Sequence, residues 1–479
     1  MATYRVTQAW GSALEPVAVK PSARVLHSVR QLAGDRHNRP AFRPAVVVAA
    51  LTPILILLLT RTGKAADAPL LGAYGILSLG TAALVMYLAF ARYRDPSTKP
   101  AVTDDRPLAT VLVAVKDEID VIRRCIQSLL ESSYRPLEFV VVDDGSTDGT
   151  REELARLEAE NPELKVIYMP RSVGKKRALT AGVEHANGRV FVFTDSDCVM
   201  AHDAIERVMM AFAADPNIGA VSGHGRALNA EQSTVTRMQD TWYEGQFSVW
   251  KAAESSLGCV TCISGPLAAF RREAIYNYFP AWANDKFLGK EFRFATDRQL
   301  TAYVLGNKWV GKKLKQRYAG SGFVTREDHP VRSWRVEYVK SARVWTIVPP
   351  TMKKVMTQQA RWKKSFLRNL CFTGKFYWRR GPLPAALFYS HSLFVLATPV
   401  MAFRHLIWLP AHGQFSLVAV YFVGLFLKGS FWAIAYKVEN PHCTRWIYRP
   451  LMTLASAVCF SAILPYSILT VRKGVWARG

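Results

Sequence analysis

Acidic side chains follow two apolar stretches of the sequence at the point where each stretch ends. Asp143 and Asp144 follow one valine-rich run, and Asp195 and Asp197 follow another. Because ligands of open parallel sheets bind beyond the carboxyl ends of the strands, both pairs are candidates for a binding site. The first pair could accept hydrogen bonds from a ribose or a base, or form a solvated Asp-Gly turn. The second pair suits a hard divalent cation, Mg²⁺ or Mn²⁺, shared with a diphosphate.

Two further segments carry charged groups at predicted helix starts. Lys175 lies in Gly-Lys-Lys-Arg between the two acidic runs, where it could bind phosphate at a helix N-terminus or belong to a solvated basic face. Asp297 and Arg298 open another predicted helix. Asp297 could act as a general base, or could be a carboxylate favoured by the helix dipole.

A third segment, Gln-Gln-Ala-Arg-Trp, presents three functional side chains on one helix face. Gln358, Arg361 and Trp362 stand at positions i, i+3 and i+4. An arginine suits phosphate and a tryptophan suits stacking on a sugar ring. Residues 351–380 hold nine basic and no acidic residues, so an amphipathic helix lying on anionic lipid is the alternative.

The elements that must position these groups alternate between strands and helices. Predicted strands are residues 108–115, 139–142, 165–169 and 190–194, and predicted helices are 121–130, 150–160 and 175–185. Strands separated by helices of this length indicate βαβ units with a parallel sheet. Residues 104–350 are therefore predicted to form an α/β domain.

Uncharged apolar runs flank this domain on both sides. Two precede it (44–60 and 68–90) and three follow it (383–403, 405–427 and 451–470). Each is close to the twenty or so residues that span a bilayer, although the first could be a buried core helix. We expect a hairpin over 44–90 and three or four spans over 383–470. The basic tail 1–43 is expected on the cytoplasmic side, against anionic lipid.

Composition narrows the class of partner. The chain has 62 Lys and Arg against 37 Asp and Glu, a formal charge of +25, and half of its residues are hydrophobic. A mostly disordered chain is excluded, and the charge suggests anionic lipid or phosphorylated substrates. Nucleic acid would explain the charge but not the apolar runs. Seven cysteines indicate no disulfide framework, and the pair Cys259 and Cys262 has no second pair at zinc spacing.

Taken in order, these motifs resemble the processive family 2 glycosyltransferases. Three longer segments, at residues 262–267, 297–301 and 358–366, are similar to the hyaluronan synthase, chitin synthase and rhizobial chitooligosaccharide synthase branch. The resemblance covers roughly residues 108–370 and the helix layout, but not the N-terminal tail. It implies a GT-A (Rossmann-like) cytoplasmic domain inserted between transmembrane helices, followed by interfacial helices over 351–380.

The resemblance also implies roles for individual residues. Those that would bind the uridine or the diphosphate are Glu118, Asp143 or Asp144, Lys175, Gln358 and Arg361. Those that would form the acceptor side are Ser264, Gly265, Pro266 and Trp362. The metal would lie at Asp195 and Asp197, and Asp297 would be the base, with Arg298 beside it in the catalytic pair.

The sequence departs from this branch in two places. Thr296 stands where an acidic residue usually precedes the base, so the base lacks the acidic neighbour that would tune its pKa. The stretch between Asp297 and Gln358 is longer than in the branch. The extra residues, near 311–334, could form a gating loop over the nucleotide or a subfamily insertion with another partner.

The predicted function is polymerisation of UDP-sugars, with inversion, into a β-linked polysaccharide that leaves through the chain's own membrane channel. UDP-N-acetylglucosamine is the expected donor, either alone or together with UDP-glucuronate. The expected partners are the donor, the growing polysaccharide and membrane lipid, without nucleic acid, and no accessory subunit is indicated. The resemblance implies a multi-pass plasma-membrane protein. A non-processive transferase acting on a lipid-linked acceptor and a non-catalytic nucleotide-binding module are the alternatives.

Overall fold

The computed structural model describes residues 69–473, with side chains from residue 73 onward. The predictions of a basic tail over 1–43 and of an apolar span over 44–60 fall on residues outside this range. The structure described below therefore begins with the second predicted apolar run.

Ten strands form an eight-stranded sheet and a small hairpin. They are β1 (Ala109–Val115), β2 (Leu137–Asp143), β3 (Leu164–Tyr168), β4 (Val190–Asp195), β5 (Cys198–Met200), β6 (Ile218–Ala227), β7 (Ala268–Arg271), β8 (Lys286–Phe287), β9 (Lys290–Glu291) and β10 (Arg335–Thr346). The order in the large sheet is β3-β2-β1-β4-β7-β6-β10-β5, and β8 pairs with β9 in the hairpin.

The four strands predicted from the sequence are parallel to one another, as expected. Every side chain of β1 is buried, because helices cover both faces of the sheet at this point. The remainder of the sheet is mixed: β7 runs antiparallel to both β4 and β6, β10 runs parallel to β6, and β5 runs antiparallel to β10. The predicted α/β fold class is confirmed.

The helices divide into those of the α/β domain and those that are apolar along their length. In chain order they are α1 (Pro69–Tyr87), α2 (Ile122–Leu130), α3 (Thr150–Glu160), α4 (Lys175–Glu184), α5 (Ala204–Ala214), α6 (Thr234–Glu244), α7 (Ala252–Ser255), α8 (Arg272–Ile275), α9 (Phe279–Ala283), α10 (Thr296–Arg317), α11 (Gly322–Thr325), α12 (Met352–Thr373), α13 (Pro382–Phe403), α14 (Leu409–Ala411), α15 (Phe415–Glu439), α16 (Tyr448–Val458) and α17 (Ile463–Leu469). A π-helical segment, Gly245–Lys251, continues directly from α6.

The strand order creates a crevice between β1 and β4. After β1, the chain adds β2 and then β3 on one side of β1. It then crosses back, and β4 pairs with the other side of β1. At such a reversal the connecting segments diverge, so a ligand can bind beyond the carboxyl ends of the two central strands. The first residues after β1 and the acidic residues at the end of β4 therefore border the same crevice.

Three of the described helical segments are long and apolar enough to cross a membrane: Ala73–Thr98, Pro382–Ala411 and Phe415–Glu439. A fourth candidate is the pair Arg445–Val458 and Ile463–Leu469, which is bent by 44°. The described residues after 380 thus offer two long spans and one bent pair, not four spans.

The boundary inside the C-terminal apolar region differs from the prediction of a run over 405–427. Gly413 adopts a φ of 70°, a left-handed conformation that ends the helix, and Pro410 lies three residues earlier. Residues 405–411 therefore complete the preceding helical segment. The next helix, α15, runs without interruption through Lys428 to Glu439.

The basic stretch 311–334 does not lie over the crevice. Its first residues complete α10, and Glu327 then accepts hydrogen bonds from Arg272 at 2.6–3.1 Å. Arg272 follows Arg271, which pairs with Val190 at the beginning of β4. These contacts lie near the beginning of β4, at the opposite end of that strand from its acidic residues. They therefore do not support a gating loop over the nucleotide.

A buried ionic network joins three helices of the domain. Asp285 accepts hydrogen bonds from Lys176 of α4 at 3.1 Å and from both ends of the Arg368 guanidinium of α12 at 2.5 and 3.1 Å. Lys176 also donates to the side chain of Gln299 in α10 at 2.8 Å. Burial lowers the pKa of Lys176 to about 8, against the opposing effect of Asp285. A single carboxylate thus compensates two buried cations.

We predict that Asp285→Asn destabilises the protein severely. The substitution leaves Lys176 and Arg368 as uncompensated buried charges, for which about 3–5 kcal/mol is the usual cost. The measurement is the thermal unfolding midpoint of the detergent-purified protein. Asp104→Asn, at an exposed position, is the matched control. A midpoint unchanged from that of the wild type would contradict the importance given to this network.

Candidate active site

The acidic residues at the end of β4 form the centre of the site. The potential ligand atoms of Asp195, Asp197 and Cys198 all lie within 4.8 Å of one another. Burial raises the pKa of Asp197, and the negative charge of Asp195 raises it further. Thr346 of β10 donates to the Asp197 carboxylate at 3.4 Å. The two carboxylates are therefore close enough to repel each other unless a cation stands between or beside them.

Lys175 supplies a positive charge to this cluster from the start of α4. Its ammonium group forms an ion pair with Asp195. Burial opposes the charged form, but Asp195, Asp297 and Asp197 outweigh burial and raise the pKa of Lys175. Since all three carboxylates act on one ammonium group, the structure brings the predicted metal ligands, the predicted base and the predicted phosphate-binding lysine together.

Asp297 is held at the beginning of α10. One carboxylate oxygen accepts a hydrogen bond from the backbone N–H of Gly265 at 3.2 Å, and the other accepts from the N–H of Arg298 at 2.7 Å. Ala295, which precedes the helix, adopts a left-handed φ of 61°. The Thr296 carbonyl accepts a hydrogen bond from the indole N–H of Trp282 at 2.9 Å. This bond fixes the turn without an acidic side chain at position 296.

The segment Ser264-Gly265-Pro266 connects the base to the metal carboxylates. A Cβ atom on Gly265 would lie 2.8 Å from a carboxylate oxygen of Asp195, a separation too short for any side chain. The same glycine donates its N–H to Asp297. On the other side, the Thr194 hydroxyl donates to the Pro266 carbonyl at 2.7 Å. Gly265 therefore adjoins both Asp195 and Asp297.

Asp143 and Asp144, the predicted ligands of a ribose or a base, have hydrogen-bond partners within the protein. Asp143 is fully buried; it accepts from the N–H of Ser146 at 3.0 Å and forms an ion pair with Arg151 at 2.8 Å. Asp144 accepts from the N–H groups of Val173 and Gly174, at 2.6 and 3.0 Å. In this structure Asp143 has no surface for a nucleoside, and Asp144 shapes the loop that leads into Lys175.

The loop after β1, which carries Glu118, is joined to the loop after β2. The N–H of Glu118 donates to the Thr150 hydroxyl at 2.8 Å, and Asp117 accepts from the N–H of Thr147 at 2.9 Å. Asp117 itself adopts a left-handed φ of 53°. These contacts place Glu118 at the border of the crevice, next to the strand end where a nucleoside was expected.

The Gln-x-x-Arg-Trp segment lies in α12 and faces the site through an aromatic cluster. The Trp362 ring is 5.6 Å from the Trp242 ring and 6.4 Å from the Tyr243 ring, and Trp362 is 37% exposed. Burial and then Asp197 raise the pKa of Tyr243, while Arg361 lowers it. Tyr243 therefore lies close enough to both the acidic pair and Arg361 to interact with their charges. Gln358 is half-buried on the same helix.

Three residues of the site were not predicted from the sequence: Trp242, Tyr243 and Lys251. Lys251 is buried, and burial lowers its pKa to about 8. It donates hydrogen bonds to the Ser264 hydroxyl and the Cys262 carbonyl, each at 2.6 Å. None of the three belongs to a motif, and Lys251 reaches the site only because a π-helical segment follows α6. The aromatic pair 242–243 is the one signal that the sequence offered.

Comparison with known proteins identifies the domain. Residues 110–279 match the family described as glycosyl transferase family 2. An N-acetylglucosaminyltransferase of Rhizobium meliloti is 31% identical over 297 residues, which are 60% of this chain and 63% of that protein. A hyaluronan synthase of Streptococcus pyogenes is 24% identical over 446 residues, which are 91% of this chain and 97% of that protein. The chain thus spans less than two thirds of the length of the rhizobial relative.

Two solved structures resemble the fold more distantly. A mannosyltransferase of Pyrobaculum calidifontis in complex with GDP-Man and Mn²⁺ is 22% identical, with a TM-score of 0.48 and coverage of 84% of this chain and 98% of that chain. GalNAc-T7 with UDP, GalNAc and Mn²⁺ is 15% identical, with a TM-score of 0.37 and coverage of 56% and 48%. Both scores lie below 0.5, so the assignment rests on the family match, the relatives and the sheet itself.

The family match begins in β1 and ends in α9, and it includes the cluster at the end of β4 and the segment that carries Gly265. Residues 110–279 therefore form a glycosyltransferase family 2 domain, and the chain is similar to the rhizobial N-acetylglucosaminyltransferases and the hyaluronan synthases.

Proposed function

We propose that the protein is an inverting polysaccharide synthase that transfers sugar from a UDP-sugar to the end of a growing chain. The observation that carries this proposal is the position of Gly265: its N–H donates to Asp297, and a Cβ atom there would meet a carboxylate oxygen of Asp195. Asp195, which would bind the diphosphate through a cation, and Asp297, which can take a proton, therefore both adjoin one small residue. This is the arrangement that displacement at an anomeric carbon requires.

In the proposed reaction, an acceptor hydroxyl attacks the anomeric carbon of the donor and the bond from that carbon to the diphosphate oxygen breaks. Asp297 takes the hydroxyl proton, and UDP leaves with the bonding electron pair. The attack inverts the anomeric centre, so an α-linked donor gives a β-linked product. In this proposal Lys175 and Arg361 bind the diphosphate, and their positive charges stabilise the negative charge that develops on UDP.

A divalent cation fits the donor set at the end of β4. Asp195 and Asp197 offer carboxylate oxygens, the ligands that Mg²⁺ and Mn²⁺ prefer. Burial raises the pKa of the Cys198 thiol well above its usual value, and Mg²⁺ and Mn²⁺ prefer oxygen ligands, so the two carboxylates are the favoured ligands of this set. When bound, the ion would supply positive charge to the diphosphate. The two aspartates would hold it, and Thr346 orients one of them.

Several features support a sugar polymer as the product. Relatives of the chain bear the names N-acetylglucosaminyltransferase and hyaluronan synthase, which favours UDP-N-acetylglucosamine as a donor, with UDP-glucuronate as a possible second donor. Trp362 offers a partly exposed ring beside Trp242 on which an acceptor sugar can stack. The apolar helices adjoin the domain, so the same chain is proposed to form the exit path across the plasma membrane, with the catalytic domain in the cytoplasm.

The decisive experiment measures UDP release and product size with the purified full chain in Mn²⁺ or Mg²⁺. High polymer from UDP-N-acetylglucosamine alone is the expected result for a chitin-type synthase. High polymer that forms only when UDP-glucuronate is added indicates a hyaluronan-type synthase. Transfer of one sugar to a lipid-linked acceptor would replace the proposal with a non-processive transferase. Tight UDP binding without turnover of any donor would refute it.

Asp297→Asn is predicted to abolish transfer while leaving UDP binding intact. The amide keeps the size of the side chain but cannot accept the proton, so the rate should fall by about 10²–10⁴-fold. Transfer is followed by UDP release, and UDP affinity by calorimetry. Thr296→Ala, at the preceding residue, is the matched control and should remain active. Normal turnover in Asp297→Asn would remove Asp297 from the role of base.

Asp197→Asn is predicted to weaken binding of Mn²⁺ itself. Loss of one carboxylate ligand lowers the affinity for a hard cation, because the amide oxygen carries no formal charge. Electron paramagnetic resonance of free and bound Mn²⁺ measures this without reference to activity. Asp203→Asn, a partly exposed aspartate in the same region, serves as the control. Equal Mn²⁺ affinity in the two variants would show that the ion does not bind at β4.

A further inference from the structure

Lys251 is a buried cation in an unusual backbone element. It ends the π-helical segment Gly245–Lys251 and is 7% exposed. π-Helical turns are rare and occur frequently at functional sites, where the extra residue redirects a side chain. The ammonium group lies 4.6 Å from the centre of the Phe247 ring, inside the same segment. Burial of a charged ammonium is costly unless every donor is satisfied, so its partners explain its presence.

The partners of Lys251 belong to two separate parts of the chain. Its ammonium donates to the Ser222 hydroxyl of β6 at 3.0 Å, and to the Cys262 carbonyl and the Ser264 hydroxyl at 2.6 Å each. An ammonium group has three donors, and all three are used here. The side chain therefore connects a strand of the sheet to the segment 262–264.

That segment leads directly to the catalytic carboxylates. The N–H of Ile263 donates to the Thr301 hydroxyl at 3.0 Å, and Thr301 lies one turn after Asp297 in α10. Two residues further, Gly265 donates to Asp297 and packs against Asp195. Lys251 is thus the anchor at one end of a short backbone segment whose other end touches both catalytic groups.

We propose that Lys251 is a positioning residue for the acceptor side of the site: it holds residues 262–266 so that Gly265 keeps Asp297 and Asp195 at the separation that transfer needs. Its role in holding the segment stands on the contacts alone. Its consequence for transfer rests on the proposed function, in which Asp297 is the base. A lysine that served packing alone could be replaced by methionine, which has a similar length, with no local effect.

The first test is independent of any sugar. It compares alkylation rates of individual cysteines in the full chain, wild type and Lys251→Met, by mass spectrometry. Cys262 is half-buried in the anchored segment, Cys371 is exposed, and Cys125 and Cys198 are buried in the core. We expect Cys262 to react about tenfold faster in the variant through local opening, with the other three cysteines unchanged.

The direction of the change in the Cys262 alkylation rate distinguishes movement of the segment from a change in the pKa of the thiol. Lys251 lowers the pKa of the Cys262 thiol, against a larger raising effect of burial. Loss of the lysine charge alone would therefore raise that pKa and slow alkylation, so faster alkylation reports release of the segment. Lys251→Arg, which retains the charge and the donors, should return the rate toward that of the wild type. An unchanged rate at Cys262, or faster alkylation at all buried cysteines together, would overturn the proposal.

The second test measures transfer. Lys251→Met should bind UDP as the wild type does, but its transfer rate at saturating donor should fall by about 10–100-fold, because small displacements of catalytic groups are costly. Lys251→Arg should recover part of the loss, and Lys312→Met, at an exposed position of α10, should lose nothing. Release of the segment without any change in transfer would contradict the positioning role. If the wild type transferred no sugar, the proposed function would fail while the alkylation result still decided whether Lys251 holds the segment.

Discussion

The buried carboxylate of Asp285 is the constraint on which the geometry of the site depends. It compensates Lys176 of α4 and Arg368 of α12, and Lys176 in turn binds the Gln299 side chain of α10. Each of these helices also carries a functional group within a few residues: the phosphate-side lysine, the proposed base and the Gln-x-x-Arg-Trp face. Because a buried ion pair tolerates little displacement, the three functional groups are held in a common frame.

The site itself carries an excess of negative charge, which is the physical reason to expect a cation. Asp195, Asp197 and Asp297 converge within one crevice, and Lys175 is the cation whose pKa all three raise. Burial, and then the charge of Asp195, raise the pKa of Asp197. A divalent cation would relieve the repulsion between Asp195 and Asp197 and would bind the diphosphate at the same place.

The sequence could predict features formed by residues that are continuous in the chain, but not those that depend on contacts between distant residues. The four parallel strands and the acidic end of β4 were predicted, because runs of buried residues and the groups that follow them are continuous in the chain. Asp143 was predicted as a ligand-binding group. Its ion pair with Arg151 was not predicted, because Arg151 lies in the first turn of α3, outside the Asp-Asp-Gly motif. Lys251 was missed because the π-helical segment that it ends shifts the helical phase, and no periodic pattern records such a shift. Tyr243 lies in α6, before that segment, and was missed because it belongs to no motif.

The contact between the domain and the apolar helices bears on how a polymer could leave. Asp240 of α6 accepts from Arg226 of β6 at 3.0 Å, from the Tyr436 hydroxyl of α15 at 3.0 Å and from Arg445 ahead of α16 at 2.5 Å. The same helix, α6, carries Trp242, which packs against the tryptophan proposed to stack on the acceptor. A buried ionic junction therefore couples the acceptor platform to the helices that could form an exit path. In the proposed function, a sugar stacked on this platform would therefore keep a fixed position relative to an exit path through those helices.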